Sequence, residues 1–290
     1  MVFLKFIIKT LNYFFQSIII YFFFIIGRCI GLKNSRKIFS KIFKFLGPLF
    51  KSKKIIDKNL NFYSKNISNE EKKKIINRMW ENYGKTFIEY IFLDYFKKNQ
   101  NHVNIEGEEN LIDIKKNSPV IFVSGHFANF ELMSMEISKR KINLAAIYRP
   151  LNNFFLNPFM EYLRKKYICK NQIKKGLTGV RETIKYVKKG YSIALMIDQR
   201  VSEGEKVNFF NMPALTTTLP AQIAIKNNIP IIPVFIERIK NDNFRIKFLK
   251  KIKIDNNENK IDATKKLNKI LENMILKNPN EWIWTHDRWK

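Results

Sequence analysis

A mixed, mainly parallel α/β sheet flanked by helices, with an N-terminal membrane-anchoring helix in front of it, is the fold this sequence predicts. Two observations carry the prediction. From residue 103 onward, short apolar runs alternate with stretches of helical periodicity, the pattern of a sheet covered on both faces. Before that, residues 11–26 are nearly all apolar, broken only by Asn12, Gln16 and Ser17. Neither an internal repeat nor a long flexible linker divides the chain. The expected organisation is an anchor over residues 1–32, a membrane-proximal helical segment over 33–100, and one α/β domain over 101–290.

The N-terminal stretch reaches from Phe3 to Leu32 if Lys5, Lys9 and Arg28 are accepted within it, long enough for a bilayer-spanning helix. Membrane insertion is favoured over an interfacial helix or a cleaved signal, because no small-x-small cleavage site follows. Arg28, Lys33, Arg36, Lys37, Lys41 and Lys44 come directly after, which places the bulk of the chain on the cytoplasmic side. Residues 37–46 form a basic amphipathic stretch that suits an anionic membrane surface or, equally, a helix packed on the domain.

Ser68-Asn69-Glu70-Glu71 is a capping box and opens a helix with Ile75, Ile76, Met79, Trp80 and Tyr83 on one face. The pattern continues to Tyr95, with a break expected at Gly84. Glu89 falls inside it, either as a buried partner for a basic group or at an exposed edge. Residues 103–107, 120–124, 144–148, 191–197, 229–237 and 244–249 read as strands. Residues 131–137, 157–167, 178–188, 219–226 and 262–275 read as helices.

The net charge of +28 favours acidic partners: anionic lipid, phosphorylated substrates, an acidic carrier protein or nucleic acid. Lysine, asparagine and isoleucine are abundant together, as an AT-rich coding sequence produces, and runs such as Lys72 to Lys74 read as solvated surface. The basic residues are scattered and form no nucleic-acid motif, so no nucleic-acid partner is expected. With two cysteines and three histidines, no His-Glu-x-x-His and no glycine-rich phosphate loop, the sequence supports no disulfide framework, metal site or nucleotide hydrolysis.

The chemistry concentrates at Ser124-Gly125-His126-Phe127-Ala128-Asn129-Phe130-Glu131. Gly125 turns the chain out of a buried strand and leaves His126 at the sheet's mouth. A histidine there, with a carboxylate one turn further on, suits a base that takes a proton from a hydroxyl. Five positions do not share a helical face, so His126 must precede the helix and Glu131 must lie in its first turns. Arg149 and Asp198 also fall at strand ends, where ligands bind in open α/β sheets.

His126-x4-Glu131, Tyr148-Arg149-Pro150, Asp198-Gln199, Phe209-Phe210-Asn211-Met212-Pro213-Ala214 with Thr216-Thr217-Thr218, and Trp282-Ile283-Trp284-Thr285-His286-Asp287-Arg288-Trp289-Lys290 occur in that order. Together they resemble the bacterial lipid A biosynthesis acyltransferases, the late or secondary enzymes of Gram-negative bacteria. The likeness spans nearly the whole chain and extends to the wider lysophospholipid-acyltransferase-like superfamily. Asn211 stands where a glycine is more usual, and Asp287 where a second basic residue is common.

The resemblance implies a glycerolipid-acyltransferase-like sheet at the bacterial inner membrane. It implies O-acyl transfer from an acyl-carrier-protein thioester, an acidic co-substrate, to a hydroxyl of a phosphorylated glycolipid acceptor, with no cofactor and no metal. His126 is then the general base, with Glu131 fixing its tautomer. Arg149 either stabilises the oxyanion, as backbone amides at the helix start also could, or holds a phosphate. Asp198 orients Arg149 or a substrate amide, or caps its strand. Tyr148, Thr216 and Thr217 are candidate substrate contacts, with helix capping an alternative for the threonines. The terminal tryptophans line a substrate surface or pack as an edge strand. His102 and His286 are expected to be structural. Two alternatives stand beside this reading: the same chemistry on another phospholipid or glycolipid, or with a coenzyme A thioester; and a non-enzymatic basic protein that binds membranes or nucleic acid.

Overall fold

The protein, described by a computed structural model over residues 2–112, 114 and 118–290, opens with one long helix, α1 (Val2–Phe50). Gly31 breaks its direction at φ +79°, a conformation open to glycine without steric cost, and the Ser35 hydroxyl donates to the Gly27 carbonyl across the bend. The helix is long and apolar enough to cross a membrane, and only 17% of its most apolar stretch is buried. This supports membrane anchoring.

The half of α1 after the bend lies along α3 (Asn69–Glu89), with α2 (Lys53–Tyr63) between them in sequence. The capping box forms in part: the Ser68 hydroxyl accepts from the Glu71 amide at 3.1 Å. Gly84 does not break α3. It lets two helices touch, since a Cβ there would sit 2.1 Å from the Phe39 carbonyl oxygen. A 3-10 turn and α4 (Leu93–Lys98) finish the helical part.

The sheet then follows as β1 (Val103–Glu106), β2 (Ile121–Ser124), α5 (Glu131–Lys139), β3 (Leu144–Tyr148), α6 (Asn157–Leu163), β4 (Asn171–Lys174), α7 (Leu177–Lys188) and β5 (Ser192–Met196). A hairpin of β6 (Glu205–Phe209) and β7 (Met212–Thr216) comes next. The chain closes with α8 (Leu219–Asn227), β8 (Ile231–Arg238), β9 (Phe244–Phe248) and α9 (Lys260–Lys277). Strand order is β1-β9-β8-β2-β5-β3-β4, with every pairing parallel except β8 with β9. The expected mixed, mainly parallel sheet is the observed one.

β2 is buried along its whole length because helices cover both faces, which is why it reads as a continuous apolar run rather than an alternating one. One apolar core runs from Phe24 and Phe39 in α1 to Trp289 near the C-terminus. Three elements escaped the sequence reading: α2, the edge strand β4, and the β6–β7 hairpin. The hairpin turns on Phe210 and Asn211, both with positive φ, as a two-residue loop requires. The edge strand expected at the tryptophans is absent. Residues 282–290 are irregular, and Trp282 and Trp284 are buried in the core.

Candidate active site

β2, β5 and β3 are adjacent and parallel, so their carboxyl ends open on one side of the sheet. That register brings His126, Asp198 and Arg149 together, although they are far apart in sequence. They border a cavity of about 460 Å³, and only Asp198 lies behind its wall.

The chain leaves β2 through Gly125, where a Cβ would meet the Phe127 ring at 2.8 Å and Leu271 at 2.9 Å. The following loop is held from behind. Ala128 adopts φ +44°, unfavourable for a residue with a Cβ, and its carbonyl accepts from the Thr86 hydroxyl at 3.0 Å. The Asn129 amide donates to Glu89 Oε2 at 2.9 Å. Glu89 is fully buried and also binds Arg36 of α1 and Arg238 at the end of β8, each at 2.6 Å. Burial alone would raise its pKa, but the two guanidiniums and the hydrogen bonds outweigh this and hold it below the usual carboxylate range. Glu89 is therefore the buried partner of basic groups. Arg36, counted from sequence among the cytoplasmic-side charges, is committed inside the protein.

His126 precedes α5 and Glu131 opens it, the arrangement the spacing demands. Their expected pairing is replaced by another. His126 Nδ1 lies 2.7 Å from Asp198 Oδ1, and the His126 amide donates to Asp198 Oδ2 at 2.8 Å. The Trp282 indole N–H donates to the same Oδ2 at 2.9 Å. Asp198 is fully buried. Burial pushes its pKa up, but the His126 charge and these three donors more than reverse that and leave it lowered. An ionised carboxylate can only accept, so Nδ1 carries a hydrogen, and in the neutral imidazole the lone pair is then the one on Nε2. Asp198 thus bonds both the ring and the backbone of His126.

Glu131 is engaged elsewhere. Its Oε1 accepts from the Tyr90 hydroxyl at 2.5 Å and from Arg164 Nε at 2.8 Å. Arg164 sits on a π turn after α6, donates also to Tyr90, and lies over the Tyr90 and Tyr148 rings. Its Nη1 is buried with no hydrogen-bond partner among the described residues. Burial lowers the Arg164 pKa, and Glu131 and Tyr90 more than offset this, so the net shift is upward. Nothing in the sequence marked Arg164 or Tyr90, since a basic residue in a helix and a tyrosine after one are common surface features.

The remaining expected residues divide. Arg149 is exposed on the cavity rim, near Lys175 and Lys51. Tyr148 lines the cavity, and its hydroxyl donates to Glu161 at 2.7 Å. Thr217 lines it too, and its hydroxyl accepts from the Leu219 amide, while the N-cap position of α8 itself is Thr218. Thr216 is buried and accepts from Arg288, so it ties down the C-terminal segment. His286 lines the cavity, and its Nε2 accepts from the Arg200 amide. His102 is away from the site, packed on Phe96, and burial pushes its pKa down to about 4.

The cavity therefore joins the His126 imidazole, a buried guanidinium, a cationic rim, and an inner wall that includes Met133, Ala146, Ile168 and Ala194. Such a wall accepts an apolar chain, and the histidine and guanidinium suit acyl chemistry. No curated protein matches the chain. The family model described as bacterial lipid A biosynthesis acyltransferase matches residues 5–290, and the chain belongs to that family.

Proposed function

We propose that this protein moves a fatty acyl chain from an acyl-carrier-protein thioester to a hydroxyl of a lipid A precursor, at the cytoplasmic face of the bacterial inner membrane. The observation that carries this reading is the Asp198–His126 pair on the wall of a cavity with a cationic rim and an apolar interior, since in the neutral imidazole that pairing puts the lone pair on Nε2.

In this reading Nε2 removes the acceptor hydroxyl's proton as the oxygen attacks the thioester carbonyl. Asp198 balances the imidazolium that forms. Arg164, which lines the cavity, is the guanidinium assigned to the tetrahedral oxyanion. Collapse breaks the carbon–sulfur bond, and His126 returns the proton to the departing thiolate. Glu131 acts through Arg164, fixing the guanidinium rather than the imidazole. Arg149, Lys175 and Lys51 on the rim suit the acceptor's phosphates or the carrier's phosphopantetheine arm.

The test is transfer of a labelled acyl group from acyl-carrier-protein thioester to a tetra-acylated, sugar-capped lipid A precursor in membranes holding the protein. Wild type is expected to transfer and His126→Ala to lose transfer. Folded wild type that transfers nothing would refute the assignment.

A further inference from the structure

We propose that residues 151–156, between β3 and α6, form a second membrane-embedded element beside α1 and open the cavity towards lipid. The proposal rests on the membrane-anchoring part of the reading above and is independent of the acyl chemistry.

The segment is clamped to the apolar part of α1. Asn153 Nδ2 donates to the Tyr13 carbonyl at 2.8 Å, and the Tyr21 hydroxyl donates to the Phe155 carbonyl at 3.0 Å. Phe154 packs edge-on to Tyr13 and Phe155 edge-on to Phe14. Tyr13 and Tyr21 lie about 15 and 27 Å along the helix from Phe3. An apolar layer is about 30 Å thick, so a helix that enters it from its N-terminal end carries both tyrosines, and whatever is bound to them, within the layer or at its edge.

The chemistry of the segment suits that depth. No charge occurs from Leu151 to Met160, whereas Arg149 precedes and Glu161, Arg164, Lys165 and Lys166 follow. Leu151 and Phe154 remain 36% and 50% exposed. Irregular backbone survives in hydrocarbon only where its polar groups are satisfied internally. Here several of them are. Asn153 Oδ1 accepts from the Phe155 and Leu156 amides, and the Asn153 carbonyl accepts from the Leu156 and Asn157 amides. Asn157 Oδ1 accepts from the Leu151 amide.

The same segment bounds the site. Pro150, Leu151 and Asn152 line the cavity next to Arg149. The occupant we assign to the exposed face of Leu151 and Phe154 is the acyl region of the bilayer. A lipid acceptor then reaches His126 sideways from the membrane, with its charged groups at the Arg149 rim.

The full chain with Cys29→Ser, which leaves only the buried Cys169, is labelled at Phe154→Cys with an environment-sensitive fluorophore and placed in vesicles containing phosphatidylglycerol. Leu151→Cys is the second probe, Ile19→Cys on α1 reports the anchor, and Val180→Cys on α7 reports water. Expected is loss of most emission at 154, 151 and 19 on adding doxyl-labelled lipid, with no loss to iodide and the reverse at 180. Iodide quenching at 154 and 151, with Ile19→Cys still quenched by lipid, overturns the inference and leaves the anchor intact. Iodide quenching at Ile19→Cys as well overturns the anchor too. Protection from both quenchers, with self-quenching that grows with protein density, assigns the face to a second copy and also overturns the proposal.

Discussion

Asp198 grips His126 twice, through the imidazole Nδ1 at 2.7 Å and through the backbone amide at 2.8 Å. The two contacts fix both the ring's tautomer and the loop that carries it. The amide contact adds to the grip that Thr86 and Glu89 have on the same loop. The Trp282 indole fills the remaining position on Oδ2, so the C-terminal tail completes the site. Asp198 is expected to support stability above the ordinary carboxylate range and to release it as pH falls through its lowered pKa, because there the unfolded chain binds the proton first.

Glu131 and Arg164 form a nearly buried pair, with side chains 11% and 10% exposed. Removing one partner strands the other. Glu131→Gln is expected to cost about 3 kcal/mol of stability, whereas Glu131→Gln combined with Arg164→Gln recovers much of the loss. Acyl transfer stays low in both, since neither keeps a held guanidinium. Denaturant titration alongside the transfer assay checks this, and additive stability losses would exclude the coupling.

Gly84→Ala sets two effects against each other. Alanine favours a helix interior by about 1 kcal/mol over glycine. The new methyl, however, lies 2.1 Å from the Phe39 carbonyl oxygen, a backbone atom that cannot rotate away. Overpacking costs about 1–3 kcal/mol and here dominates, with α1 and α3 forced apart. A lowered melting temperature is expected. A raised one would mean that the helices are not in contact at this point.

Glu281 gives a pH signature. Burial pushes its pKa up to about 7, against the opposing hydrogen bond from the Arg238 amide. Its folded-state value lies above the unfolded one, so its favourable contribution is complete below about pH 4.5 and is lost as pH rises through 7. Glu281→Gln keeps an acceptor oxygen without the charge. It is expected to stabilise the protein by about 1–2 kcal/mol at pH 8 and by almost nothing at pH 4.5. Thermal unfolding at both pH values measures the difference, and an equal effect at both contradicts it.

The strands that build the site were legible because each is a short apolar run ending at a polar group, and β3 was readable at residues 144–148 to its last residue. The partner of His126 was not. Asp198 is 72 positions away and becomes a neighbour only because β5 pairs with β2, a pairing no local pattern encodes. Glu131, five positions away, was the nearer candidate in sequence, yet a tyrosine from the end of α3 and an arginine from a π turn claim it. β4 was hidden because Asn171-Gln172-Ile173-Lys174 carries one apolar residue, enough for an edge strand but too little for a pattern. The tail misled in the opposite sense. Trp282 and Trp284 alternate as a strand would, but burial of two indoles in the core produces the same spacing.

The most direct test of the account is kcat and KM for acyl transfer by Asp198→Asn, compared with wild type in the same membranes. An asparagine keeps the shape but cannot impose the tautomer. The account predicts a fall in kcat of about 10³–10⁴-fold with KM nearly unchanged. A folded Asp198→Asn protein with wild-type kcat would contradict it, and would return the orienting role to another group.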